Sequence, residues 1–195
     1  MSEPTTDAVA APVPALMSYA DFGQRFFEAA VTRERVVAAA AGLAGRPIEV
    51  GPLGVGPLGV VKVRANGEVG APIVEPREGE HVAFEVTVPV DLHLVIEVGL
   101  DKYRFMAGVG IRLAVTARAA EPLLILIDIE APTKKSIDVD LHADGMRASV
   151  VRLVAGVDNE IRKAVATFVR REIEKPEMQK ARRIDVEKAL QQLSH

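Results

Sequence analysis

The chain contains no cysteine and no tryptophan, and aromatic residues make up only 4% of it. The missing thiol removes disulfides, zinc thiolates, iron–sulfur clusters and cysteine nucleophiles from consideration. So few rings offer little for stacking on bases or sugars. A surplus of positive charge is absent too. Lys and Arg number 24 against 27 Asp and Glu, a net −3 at pH 7, which suits no grip on a phosphate backbone. Nucleic acid is therefore not an expected partner. No apolar run approaches the roughly 20 residues that cross a bilayer as a helix. Residues 1–17 hold Glu3 and Asp7 but no Lys or Arg, and Pro12 and Pro14 interrupt them. They do not read as a secretory signal, and the expectation is a flexible tail on a cytoplasmic protein. A Walker loop, a G-x-S-x-G elbow and an H-E-x-x-H pair are all missing. No cofactor, metal or catalytic residue is implied.

What is present is enough apolar residue, 49% of 195, to build one core. Ser18 is a plausible N-cap with Asp21 as its capping-box partner. Phe22, Phe26, Ala29, Ala30, Val36, Val37 and Ala40 follow at helical spacing until Gly42, Gly45 and Pro47 stop it. One helix over 18–44 is expected. Next come two tandem pentapeptides, GPLGVGPLGV, at 51–60. Proline cannot donate to a central ladder, so this stretch reads as a bent edge segment. A strand over 60–65, a two-residue turn at Asn66-Gly67 and a return strand over 68–75 complete a hairpin.

The most informative stretch is 81–100. Every even position from Val82 to Leu100 is apolar, while His81, Glu85, Thr87, Asp91, His93 and Glu97 occupy odd ones. After a turn at 99–102 the parity reverses. Tyr103, Phe105, Ala107, Val109, Ile111, Leu113, Val115, Ala117 and Ala119 are apolar, and Arg104, Arg112, Thr116 and Arg118 face away. Period-two alternation of this length far exceeds an ordinary strand of five or six residues. A third strand spans 123–131 and a fourth 137–143. A long helix with an apolar stripe (Val150, Val154, Val157, Ile161, Ala164 and Phe168, widened by Val165 and Val169) runs over 149–175 and ends before Pro176. A short helix over 185–193, capped by Asp185, closes the chain. The expected organisation is a tail at 1–17, one domain at 18–175 and an extension at 176–195.

Nineteen residues in a straight strand would extend some 60 Å, whereas a compact chain of this length is roughly 40 Å across. The sheet must bend, with Pro89 and the Gly99 end as candidate places, and wrap something apolar. The expected fold is α+β: a long, strongly curved antiparallel sheet around a long C-terminal helix, with an N-terminal helix. Five such strands present on the order of 1,400 Å² of concave face, and two helices cover roughly 800 Å². The remainder calls for a ligand, a second copy of the chain in a homodimer, or shorter strands. Walls of Val, Leu, Ile and Ala suit an apolar or lipid-like small molecule. The expected lining is Phe84, Val86, Val88, Leu92, Leu94 and Ile96 from one strand and Phe105, Val109, Ile111 and Leu113 from the next. Phe26, Ile161, Val165 and Phe168 would contribute from the helices.

A helix, very long antiparallel strands at 82–100 and 103–119, then an apolar-striped helix at 149–175: this order resembles the tubular lipid-binding (TULIP) superfamily, with its BPI-like and SMP-like domains. The resemblance covers about 18–175 and rests on element order and strand length. It implies a lipid held between curved sheet and helix, and it transfers no catalytic residue. The helix-grip (START or Bet v 1-like) fold is the alternative resemblance, with a cyclase or isomerase activity as its enzymatic variant.

Other patterns have plainer readings. Asp138, Asp140, His142 and Asp144 form a D-x-D-x-H-x-D row, but same-face strand neighbours lie about 6.6 Å apart, too far for one ion to hold all four. A solvated outer face accounts for them, and for His81 and His93. Gly108 and Gly110 sit inside a strand pattern, where close packing or a bulge explains them. Between 147 and 188, eleven Lys and Arg face seven Asp and Glu. Arg170, Arg171, Arg182 and Arg183 stand out there as a surface for peripheral membrane contact.

Overall fold

The computed structural model describes residues 14–55, 61–142 and 157–193. Its centre is a pair of strands, β4 (Ala83–Val98) and β5 (Asp101–Ala120). They pair antiparallel without a register break from Ala83↔Thr116 to Val98↔Asp101. The turn between them is tighter than expected, with Gly99 at φ 59° and Leu100 beside it fully exposed. The even-position pattern therefore ends at Val98, because a side chain in the turn has no sheet face to join. At the far end of β5 Ala119 is exposed although it is still paired with Ile125 of β6. Between those limits the alternation holds: the seven even residues from Phe84 to Ile96 are all buried, none more than 7% exposed.

The remaining strands are β1 (Pro47–Val55), β2 (Val61–Val69), β3 (Ile73–Arg77), β6 (Leu124–Ile129), β7 (Ile137–His142) and β8 (Arg183–Asp185). The sheet runs β1-β2-β4-β5-β6-β8, with β3 also on β4 and β7 also on β5. Two short strands thus share each outer side of the long pair. On β4, β2 covers 90–98 and β3 covers 83–87. On β5, β7 covers 106–111 and β6 covers 115–120. The eight strands form an antiparallel, curled half-barrel around helix, as the pattern led one to expect.

Between the flanking strands runs a seam. Pro89 lies opposite Gly110 on it, and the Pro89 carbonyl accepts from Gly70 N–H at 2.8 Å, where β2 has just ended. A residue in an antiparallel ladder points its N–H and C=O to the same side. The missing N–H of Pro89 therefore faces the gap between β2 and β3, where no strand needs it. Across β5, Glu130 N–H reaches the Ala114 carbonyl at 2.9 Å while the chain crosses from β6 towards β7.

Two expectations are corrected. Asn66-Gly67 is no turn; β2 runs straight through it, pairing Asn66 with His93 and Gly67 with Leu92. The glycine is there for closeness, since a methyl group on it would overlap the Asp91 carbonyl oxygen. The helix over 18–44 is in fact two, α1 (Tyr19–Ala30) and α2 (Arg33–Ala41). Ser18 caps α1 as expected, accepting from Asp21 N–H at 3.0 Å. Thr32 then starts a second helix by accepting from Arg35 N–H. The break turns Val31 into the core at 6% exposure, although neither helix buries a residue of its own. Arg33 ties α2 to the sheet, its Nε donating to the Val74 carbonyl at 2.9 Å.

On the concave side lies α3 (Val157–Glu174), with Val157, Ile161 and Val165 buried. Arg162 pins it to β7 by donating from Nε to the Ile137 carbonyl at 3.1 Å. The expected start of this helix at 149–156, with its residues Val150 and Val154, lies outside the described residues. So do residues 1–13 and 56–60. After α3, Pro176 opens α4 (Pro176–Ala181), and α5 (Val186–Leu193) follows β8. Asp185 caps α5, accepting from Lys188 N–H at 2.9 Å. β8 pairs with β6, so the segment after Pro176 returns to the sheet.

Candidate functional site

Beneath the seam the sheet and α3 do not meet. They enclose a cavity of about 370 Å³, for which seventeen of the nineteen lining residues are apolar and the exceptions are Arg46 and Glu172. Its floor is the middle of the long pair: Val88, Val90 and Leu92 from β4, with Val109, Ile111 and Leu113 from β5. Its roof is the C-terminal half of α3, with Val165, Phe168, Val169 and Ile173, and Met178 from α4. Ile48 and Val50 on β1, with Leu43 after α2, close one side. The floor residues are buried, with Leu113 half-buried, whereas Arg46 and Pro47 are exposed, which puts the mouth at the entry to β1.

Period two explains the floor. Residues 88, 90 and 92 share a face because they alternate, and the reversed parity of β5 brings 109, 111 and 113 beside them through the pairs Val88↔Ile111 and Val90↔Val109. Small and medium aliphatic side chains leave the space under the seam unfilled. At one end of the same face Leu94 and Ile96 are packed to 1% and 0% exposure.

Of the residues expected to line a ligand site, Val88, Leu92, Val109, Ile111, Leu113, Val165 and Phe168 do line this cavity. Phe84, Val86, Leu94, Ile96 and Ile161 are instead buried in the core beyond it, and Phe26 and Phe105 are half-buried against that core. Phe26 stacks edge-on to Phe27 with ring centroids 6.1 Å apart. Missed were Leu43, Arg46, Ile48, Val50, Val69, Ile129 and Met178. Val90 and Val169 carried the same periodic signal as their neighbours. The 43–50 stretch carried none, because a loop and an irregular edge strand have no period to read.

The two charges at the mouth differ. Glu172 is paired with Lys175 at 2.7 Å. Arg46 donates from Nε to the Gly42 carbonyl at 3.0 Å, and among the described residues no carboxylate forms an ion pair with it.

The polar outer face holds the other sequence candidates. His93, Asp91, Asp138 and Asp140 are exposed there, His81 is exposed in the bend before β4, and Asp138 pairs with Arg112. Glu97 lies 3.1 Å from Lys102 Nζ; the hydrogen bond and charge of that lysine hold its carboxyl below the usual carboxylate range. Among the described residues no group of three or more His, Asp or Glu could hold a metal ion. Gly108 and Gly110 lie in unbroken register, so there is no bulge; Asp138 Cβ would sit 3.9 Å from a side chain at Gly110.

The four arginines do not act alike. Arg170, Arg171 and Arg183 are exposed. Arg182 is turned inward at 11% side-chain exposure, donating from Nε to the Ile127 carbonyl and placing Nη2 3.3 Å from Asp128. Its guanidinium is spent holding β6, which removes it from any membrane-facing set. No helix among the described residues is long and apolar enough to cross a membrane.

No family model matches the chain, and no curated protein matches it either.

Proposed function

We propose that the protein is a non-enzymatic carrier or sensor that binds an apolar, lipid-like molecule between the curled sheet and α3. The observation that carries this reading is the cavity of about 370 Å³ with all but two of its lining residues apolar. That volume falls within the range of small-molecule sites, which are typically about 300–1,000 Å³. A space so large and apolar, left under two well-ordered strands, forfeits packing that the same strands achieve at Leu94 and Ile96. Binding an apolar guest restores those contacts. The resemblance of element order to tubular lipid-binding domains supports the same reading.

The test is mass spectrometry of untreated protein from cells, compared with Leu113→Trp. The wild type is expected to carry a co-purified apolar molecule. The indole, placed on the cavity floor, is expected to cut that load at least about fivefold at near-unchanged melting temperature, since it fills existing space. Equal loads in both proteins, or none in the wild type, would overturn the proposal.

A further inference from the structure

The cavity volume and the asymmetry of its two charges together describe the guest, on the premise that the cavity is the binding site proposed above. An apolar cavity of about 150 Å³ takes a benzene ring of six carbons. By that measure 370 Å³ holds roughly fifteen non-hydrogen atoms. One alkyl chain of about a dozen carbons fits; a lipid with two long chains does not.

The mouth decides the other end of the guest. Glu172 is already neutralised by Lys175 at 2.7 Å. Arg46 is exposed on the rim with its Nε fixed on the Gly42 carbonyl at 3.0 Å. That one bond holds the guanidinium at the end of α2 and leaves the two Nη groups as donors, with no carboxylate ion-paired to them among the described residues. A planar fork of this kind matches two oxygens of a carboxylate or a phosphate. We infer that the ligand is a single-chain anionic amphiphile, its chain over Val90, Val109 and Ile111 and its carboxylate or phosphate monoester head on Arg46.

The test uses the full chain, a neutral polarity-sensitive dye (Nile red) in the cavity, and four competitors: dodecanoate, dodecyl phosphate, dodecanol, and vesicles of a diacyl phosphatidylglycerol. Both single-chain anions are expected to displace the dye about tenfold more tightly than dodecanol, the gain of a charge-assisted pair at a half-open site. The preference should shrink as salt is raised, and the tighter anion names the head. Arg46→Gln is expected to lower both anions to the level of dodecanol, and Arg46→Lys to restore part of the preference. Equal displacement by anion and alcohol, or a preference that survives Arg46→Gln, would overturn the head-group assignment and leave the cavity intact. Vesicles that outcompete all single chains would overturn the one-chain assignment. If the dye enters and no competitor displaces it, or if the dye never enters, the carrier reading itself falls.

Discussion

The same two strands build a packed region and a hollow one. Around Leu94, Ile96 and Val63 the concave face is filled, each of these side chains being no more than 1% exposed. A few residues along, Val88, Val90, Val109 and Ile111 point to the same side of the same ladder and border empty space. Residue chemistry does not separate the regions, since both are aliphatic and both alternate. Their flanks do. Leu94 and Ile96 lie well inside the stretch of β4 paired to β2, whereas the cavity straddles the seam: Val88 and Leu113 fall in the gaps between flanking strands, and Val90, Leu92, Val109 and Ile111 sit by the last pairs of β2 and β7 beside those gaps. There the helix spans a hollow instead of filling it.

This contrast can be broken by truncation. Leu94→Ala is expected to cost about 3 kcal/mol in chemical denaturation, because a full side chain leaves a packed site. Leu113→Ala, whose side chain already borders the cavity, should cost about a third of that. Equal costs would mean the two regions are packed alike. Gly67→Ala probes the continuity of the flank: its methyl would meet the Asp91 carbonyl, so β2 must shift away from β4 at a cost of about 2 kcal/mol. A neutral result would show that this approach is not a constraint. The smallest effect belongs to the solvated face. Lys102→Gln removes the partner that lowers the Glu97 carboxyl, so its titration, followed by NMR, should move up toward the ordinary carboxylate range. With a folded value below the unfolded one, the pair favours folding at neutral pH. That contribution fades as the pH falls through the lowered value. In the variant this acid-side loss should shrink, with only the weaker pull of Arg64 and Lys62 remaining.

Much of the scaffold was legible in the residues. Parity along 82–98 and 103–117 is written in side-chain polarity, and Ser18 and Asp185 announce their helices through a contact three residues away. The site was legible only by half. Its floor and roof follow from two periods, 2 and 3.6, but Leu43, Arg46 and Ile48 come from a loop and an edge with no period. Thr32 was a readable cap overlooked inside a longer apolar run. Asn66-Gly67 misled because the dipeptide favours a tight turn only when nothing longer competes for it. Here pairing with the nine residues from Val90 to Val98 competes and wins.

By itself the sequence determined which side of each long strand faces the core and where the capped helices start, because those choices depend on neighbours a few residues away. Tertiary structure alone decided that Gly67 is a point of close contact and that Arg182 serves β6. It also decided where the flanking strands break, and hence where the hollow and its lone arginine lie. Those outcomes depend on which distant segments pair, and pairing partners leave no periodic trace in the chain.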